Sequence, residues 1–242
     1  MLKFSHCLTS KLRYAQVLML VAVLLLLPSV SSASDAFTGY QIDNHGQYFA
    51  FLGVRTPLVK KNPDLEPFVQ LFAASLAYKF KSNGDIVEAQ QQWLVPSVGL
   101  KQRLGPWSIL GFVGAQLRHK EQDQPGGGTM KDDQAGVYVQ GEAFYWNEKR
   151  NFHGILSYSD LDQFYWGRVR GKQLVYRPTG CCPLYAGAEI AGMGNKDFYA
   201  VQTGPVFEVA LGVVMWAVRG GYQYSKTFQN GVYGGTEFYI PF

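Results

Sequence analysis

The sequence predicts an all-β fold, a closed antiparallel transmembrane β-barrel of about twelve strands, and three observations carry that prediction. An export-type leader opens the chain. The remainder alternates in hydropathy with a period of two. The final strand carries Phe238, Ile240 and Phe242 on one face and ends on the last of them.

The leader comes first because it must be set aside before the fold is considered. Lys3, Lys11 and Arg13 supply positive charge, Val17 to Leu27 is an unbroken apolar run of eleven residues, and Pro28 breaks it. Ser31, Ser32 and Ala33 then place small residues where a signal peptidase cuts. The run is shorter than the roughly 20 residues a membrane-spanning helix needs, so residues 1–33 are expected to be a cleaved signal peptide and residues 34–242 the barrel. An uncleaved N-terminal anchor is the alternative. Cys7 precedes the apolar run, which excludes it as a lipid-bearing cysteine. The expected location is the outer membrane of a Gram-negative bacterium.

The whole chain carries a formal net charge of +4. The leader holds three cations and no acid, so the remainder falls to about +1, and nothing in that balance points to nucleic acid. No second segment approaches the length of a membrane helix, which excludes a helical membrane protein.

Alternation then places the strands. Ala135, Val137, Val139, Gly141, Ala143 and Tyr145 alternate with Gln134, Gly136, Tyr138, Gln140, Glu142 and Phe144, an apolar face against a polar one. In the last segment Val232, Gly234, Thr236, Phe238, Ile240 and Phe242 oppose Tyr233, Gly235, Glu237 and Tyr239. The segments are long enough to cross a bilayer when tilted. Aromatics gather near strand ends, at 144–146, 164–166 and 238–239, as interfacial girdles require. Strands are expected at 36–42, 47–57, 67–80, 86–103, 107–118, 133–146, 151–160, 163–176, 184–192, 199–210, 213–224 and 231–242. Two of these are weak enough that ten strands is the alternative. Turn residues separate most of them, among them Asn44-His45-Gly46, Leu104-Gly105-Pro106 and Asn195-Lys196-Asp197. The stretch from His119 to Asp132 is expected to be the longest outer loop.

Charged residues on inward faces mark the candidate site. Arg168, Arg170 and Lys172 share one strand face, and such a face cannot meet lipid, where each charge costs about 2–4 kcal/mol near the midplane. Glu142, Glu189, Glu208, Arg219 and Glu237 stand among small or polar neighbours and are expected inside as well, with Trp166 and Tyr138 beside them. Such a set either fills the lumen with ion pairs or forms a polar track for a ligand.

Catalytic and metal signatures are lacking in the sequence. His153 and Ser157 share a strand face but lie about 13 Å apart at strand rise, too far to bond. No Gly-x-Ser-x-Gly turn occurs, so an outer-membrane lipid A hydrolase is the competing reading rather than the expected one. Cys181 and Cys182 stand adjacent in the turn Arg177 to Pro183 with no nearby histidine, which fits an oxidised or unpaired thiol pair better than a metal or redox site. No metal, no cofactor and no enzymatic activity are expected.

The segment Phe164-Tyr165-Trp166-Gly167-Arg168-Val169-Arg170 resembles the aromatic-Trp-x-Arg-x-Arg strand of the cellulose biosynthesis protein S (BcsS) family. The hairpin that follows is similar to that family's next motif: Gly192, Gly194, Asn195, then Phe198-Tyr199-Ala200, Gln202 and Gly204. Gln140-Gly141-Glu142, Gly221-Tyr222-Gln223-Tyr224 and Gly231-Val232-Tyr233-Gly234 also fit. The likeness is densest from residue 134 onward, while Cys181-Cys182 and the stretch 207–216 depart from it. The resemblance implies an accessory outer-membrane protein of bacterial cellulose production. Its expected partners are outer-membrane lipid, the barrel-insertion machinery, and a cellulose chain or components of the cellulose synthase complex. A structural or small-solute barrel is the remaining alternative.

Overall fold

A computed structural model describes residues 35–59, 65–82, 84–123, 128–179, 182–196, 198–226 and 229–241. The leader and its cleavage position, Cys181 and Phe242 lie outside the described residues. Twelve strands follow one another, β1 Asp35–Asp43, β2 Tyr48–Pro57, β3 Leu65–Ser82, β4 Asp85–Leu104, β5 Trp107–Asp123 and β6 Thr129–Trp146 forming the first half. The second half is β7 Arg150–Ser159, β8 Phe164–Tyr176, β9 Leu184–Gly194, β10 Tyr199–Leu211, β11 Val214–Ser225 and β12 Gly231–Pro241. Each pairs antiparallel with its sequence neighbours, and β12 closes onto β1 from Asp35↔Pro241 to Asp43↔Tyr233. Closure leaves every strand with a partner on both sides, as a wall surrounded by lipid requires. Among the described residues the count is twelve, not ten.

The two faces of this wall invert the usual partition between core and surface. Leu156, Val232, Val98 and Ile190 point outward and are 65%, 58%, 55% and 53% exposed, whereas Glu189, Gln202 and Arg170 point inward and are nearly sealed from solvent. A water-soluble barrel would reverse this arrangement, because exposed apolar area of that extent requires lipid around it.

Rings form a girdle at each rim. At the rim that holds Asp35 and Pro241, Trp107 packs against Tyr145 at 5.1 Å and against Phe152 at 6.1 Å, and Trp216 stacks on Phe238 at 6.1 Å. At the opposite rim Tyr158 meets Tyr165, Tyr199 meets Tyr224, and Tyr40 meets Tyr48. The aromatic triplets at 144–146 and 164–166 contribute only their middle residue to a girdle. Period two turns Phe144, Trp146, Phe164 and Trp166 into the lumen.

The expected long loop from His119 to Asp132 is mostly strand, since β5 runs on to Asp123 and β6 starts at Thr129. Complementary charges across the ladder explain the extension. Register places His119 opposite Asp133 and Glu121 opposite Lys131, with contacts of 2.6 and 2.7 Å. Such cross-strand pairs are each worth about 0.2–1 kcal/mol, enough to zip a hairpin beyond its apolar band. Lys131→Glu places like charges opposite each other. It is expected to speed amide hydrogen exchange about two- to fivefold at 121–123 and 129–131. Exchange at 137–143 should not change, and equal protection at the tip in both proteins would refute the electrostatic account.

Candidate functional site

The inward faces of β8 to β12 build a charged cluster across the lumen. Arg168, Arg170 and Lys172 occupy alternate positions of β8, so one strand face projects three cations. Glu189 stands opposite Arg170 in the β8–β9 ladder, and its carboxylate accepts from Arg170 Nε at 3.0 Å and Nη2 at 2.6 Å. Arg219 of β11 donates to the same carboxylate at 3.0 Å, and the Tyr233 hydroxyl donates to it at 3.2 Å. Glu237 of β12 gathers three guanidiniums: Arg168 Nη1 at 2.5 Å, Arg170 Nη1 at 2.9 Å and Arg219 Nε at 3.2 Å. Lys172 pairs with Glu208 of β10. The bonds of β8 to Glu237 and Glu208 and of Arg219 to Glu189 tie strands that are not neighbours, so the cluster braces the barrel from within.

A second cluster lies on the adjoining wall. Arg55 of β2 donates to Gln70 of β3 at 3.1 and 2.8 Å and reaches Glu142 of β6 at 2.8 Å. Gln140 donates to the same carboxylate at 2.8 Å, and the Tyr138 hydroxyl donates to Gln140 at 2.5 Å. The Arg55 guanidinium also lies over the rings of Phe68, Phe37 and Phe112 at 5.0, 5.8 and 5.8 Å, which offsets part of its desolvation. Arg55 and Gln70 escaped the sequence analysis. Arg55 is a lone cation in an apolar strand, and only its register with Gln70 shows which way it points.

All ten charged and aromatic residues expected inside stand on the inward register. Tyr138 packs on Phe112 at 6.4 Å, and Trp166 lies under the Arg168 guanidinium at 5.7 Å. Their polar groups are largely taken up by one another, which makes them a brace for the wall more than an open ligand surface.

The residues a hydrolase would need are engaged separately. His153 Nε2 lies 3.7 Å from Glu142, while the Ser157 hydroxyl donates to the Trp166 carbonyl at 3.3 Å. Among the described residues no three His, Cys, Asp or Glu side chains are grouped as metal ligands.

At the rim opposite the termini, the β7–β8 connection Leu161–Gln163 turns inward over the mouth. Asp162 and Gln163 hold positive φ angles of 60° and 50°, a conformation that costs non-glycine residues about 1–3 kcal/mol each. Arg118 of β5 holds the turn, donating to Asp162 at 2.6 Å. Burial alone would raise the Asp162 carboxyl pKa, but Arg118 outweighs it and keeps the group below its ordinary value.

Space remains beside the clusters. A cavity of about 1410 Å³ runs between the β1–β5 wall and the clusters, with Lys81, Asp162 and Lys196 at one rim and Lys101, Arg103 and Pro106 at the other.

A model of the family described as cellulose biosynthesis protein BcsS matches residues 36–242, which is the whole barrel. The chain belongs to the BcsS family. No curated protein matches this BcsS-family chain. Among solved structures, it is similar to the translocator domain of the autotransporter NalP from Neisseria meningitidis, with 14% identity, a TM-score of 0.52 and 97% of each chain covered. It is also similar to LpxR from Salmonella typhimurium, with 11% identity and a TM-score of 0.52 over 87% of this chain and 100% of that one. An outer-membrane channel from Pseudomonas putida F1 gives 12% identity and a TM-score of 0.51 over 87% and 95%. At these identities the likeness is one of fold, and the fold of this BcsS-family chain is that of outer-membrane barrels.

Proposed function

We propose that this chain is a non-enzymatic barrel of the Gram-negative outer membrane that assists cellulose secretion, inserted after its leader is cleaved. The observation that carries the proposal is the family match, which spans the barrel from its first strand to its last. The outward apolar band and the two ring girdles fit lipid contact. The rim with Asp35 and Pro241 faces the periplasm in this reading, where components of the cellulose synthase complex are the partner class. The engagement of His153 by Glu142 and of Ser157 by a backbone carbonyl supports a role without catalysis.

Deletion of the gene is expected to lower secreted cellulose, measured by dye binding, and the wild-type chain should restore it. A His153→Ala chain should restore it equally, with the lipid A mass spectrum identical in all strains. Failure of a folded His153→Ala barrel to complement, or a lipid A species that depends on it, would reinstate the hydrolase reading.

A further inference from the structure

The lumen departs from the usual polar interior of an outer-membrane barrel along one wall. Phe49 and Phe51 of β2, Phe72 of β3 and Trp93 of β4 all point inward, and each is only half-buried, so part of every ring faces the cavity. Phe49 stacks on Trp93 at 6.0 Å with 26° between planes and touches Phe51 at 5.5 Å, and Phe51 meets Phe72 at 6.1 Å. The rings thus form a continuous apolar strip. Across the cavity stand the internally paired charges of the two clusters and, between them, neutral groups such as Gln140, Ser157, Gln202 and Gln223.

We infer that this ring-faced wall of β2–β4 is a binding surface for a segment of β-linked glucan. The inference rests on the secretion role proposed above and names the ligand of that lumen. Three features select the ligand class. Pyranose rings with equatorial hydroxyls present apolar C–H faces, which match stacked rings, and polar edges, which match amides and hydroxyls. The cations of the lumen are paired with Glu189, Glu237, Glu142 and Glu208 or placed at the rims, so the ring-faced wall offers no row of positive charge for an anionic polymer. The cavity also exceeds the roughly 300–1,000 Å³ of ordinary small-molecule sites and touches both rims, which suits a chain rather than a monosaccharide.

Calorimetric titration of the folded full-length barrel in detergent with cellohexaose tests the inference, with heat-modifiable gel migration as the check on folding. Saturable binding is expected, weakened at least about tenfold by Phe49→Ala or Trp93→Ala, as removal of a stacked anchor usually does. Trp93→Phe should retain most of the affinity. Trp216→Ala, whose ring lies outside against Phe238, should leave it unchanged. Absence of binding to a folded barrel, equal affinity in folded Phe49→Ala and Trp93→Ala chains, or equally tight binding of maltohexaose would overturn it. A deletion strain that loses cellulose output while the barrel ignores cellohexaose refutes this site alone. Binding with unaltered output refutes the secretion role and leaves the site standing.

Discussion

Glu237→Gln is expected to destabilise the barrel by about 3–5 kcal/mol, because it strips the shared counter-charge from three buried guanidiniums. Arg168, Arg170 and Arg219 face only Glu189 and Glu237, so this part of the lumen already carries one positive charge in excess. Removing Glu237 raises the excess to two in a site with little access to solvent. Arg168→Gln acts in the opposite sense. Arg168 is paired with Glu237 alone, which keeps two other guanidiniums, so its loss balances the cluster and is expected to cost less than about 2 kcal/mol. Urea titration of the barrel in phospholipid vesicles, followed by tryptophan fluorescence, measures both. The double variant should recover part of the Glu237→Gln loss, because the two sites are in direct contact and their effects do not add. Equal losses from the two single changes would mean that water screens the cluster and that its charges are not coupled.

Gly204→Ala is expected to destabilise by about 1–3 kcal/mol through backbone crowding. A Cβ at Gly204 would lie 1.9 Å from the Gly220 carbonyl oxygen and 2.7 Å from the Gly221 Cα, and a Cβ at Gly221 would lie 2.1 Å from the Thr203 oxygen. Those atoms are backbone and cannot rotate away. The β10–β11 register passes from Thr203↔Tyr222 to Val206↔Arg219, so this close approach falls at a break in the ladder, beside Arg219. Separating the strands there would also displace Arg219 from Glu189. Gly192→Ala is the control, since a Cβ there meets nothing within 4 Å, and it should shift stability by no more than about 0.5 kcal/mol. If Gly204→Ala behaves like Gly192→Ala in the same urea titration, the close approach has no energetic consequence.

Strand identity was legible because lipid outside and a polar lumen inside leave a period-two trace in every wall segment, and the expected segments lie within a few residues of the observed strands. The β5–β6 hairpin was not, because its extension is held by pairs such as Glu121–Lys131, which depend on register between two segments that each look like loop. The inward course of β8 was also legible, since Arg168, Arg170 and Lys172 on one face have no tolerable place in lipid. The direction of Phe49, Phe51, Phe72 and Trp93 was not. An apolar ring is acceptable to either solvent, so hydropathy alone cannot orient it.

The sequence by itself determined the all-β wall, the burial of the β8 cations and the family resemblance, each of which is local or depends on the preference of one side chain for water or lipid. Only the tertiary structure decided that Glu237 serves three arginines, that Arg55 joins Glu142 and Gln70, that β10 and β11 touch at Gly204 and Gly221, and that Phe49, Phe51, Phe72 and Trp93 line one side of the lumen. Those facts depend on closure of β12 onto β1 and on the stagger between strands. Both set distances between residues far apart in the chain, and no local pattern encodes them.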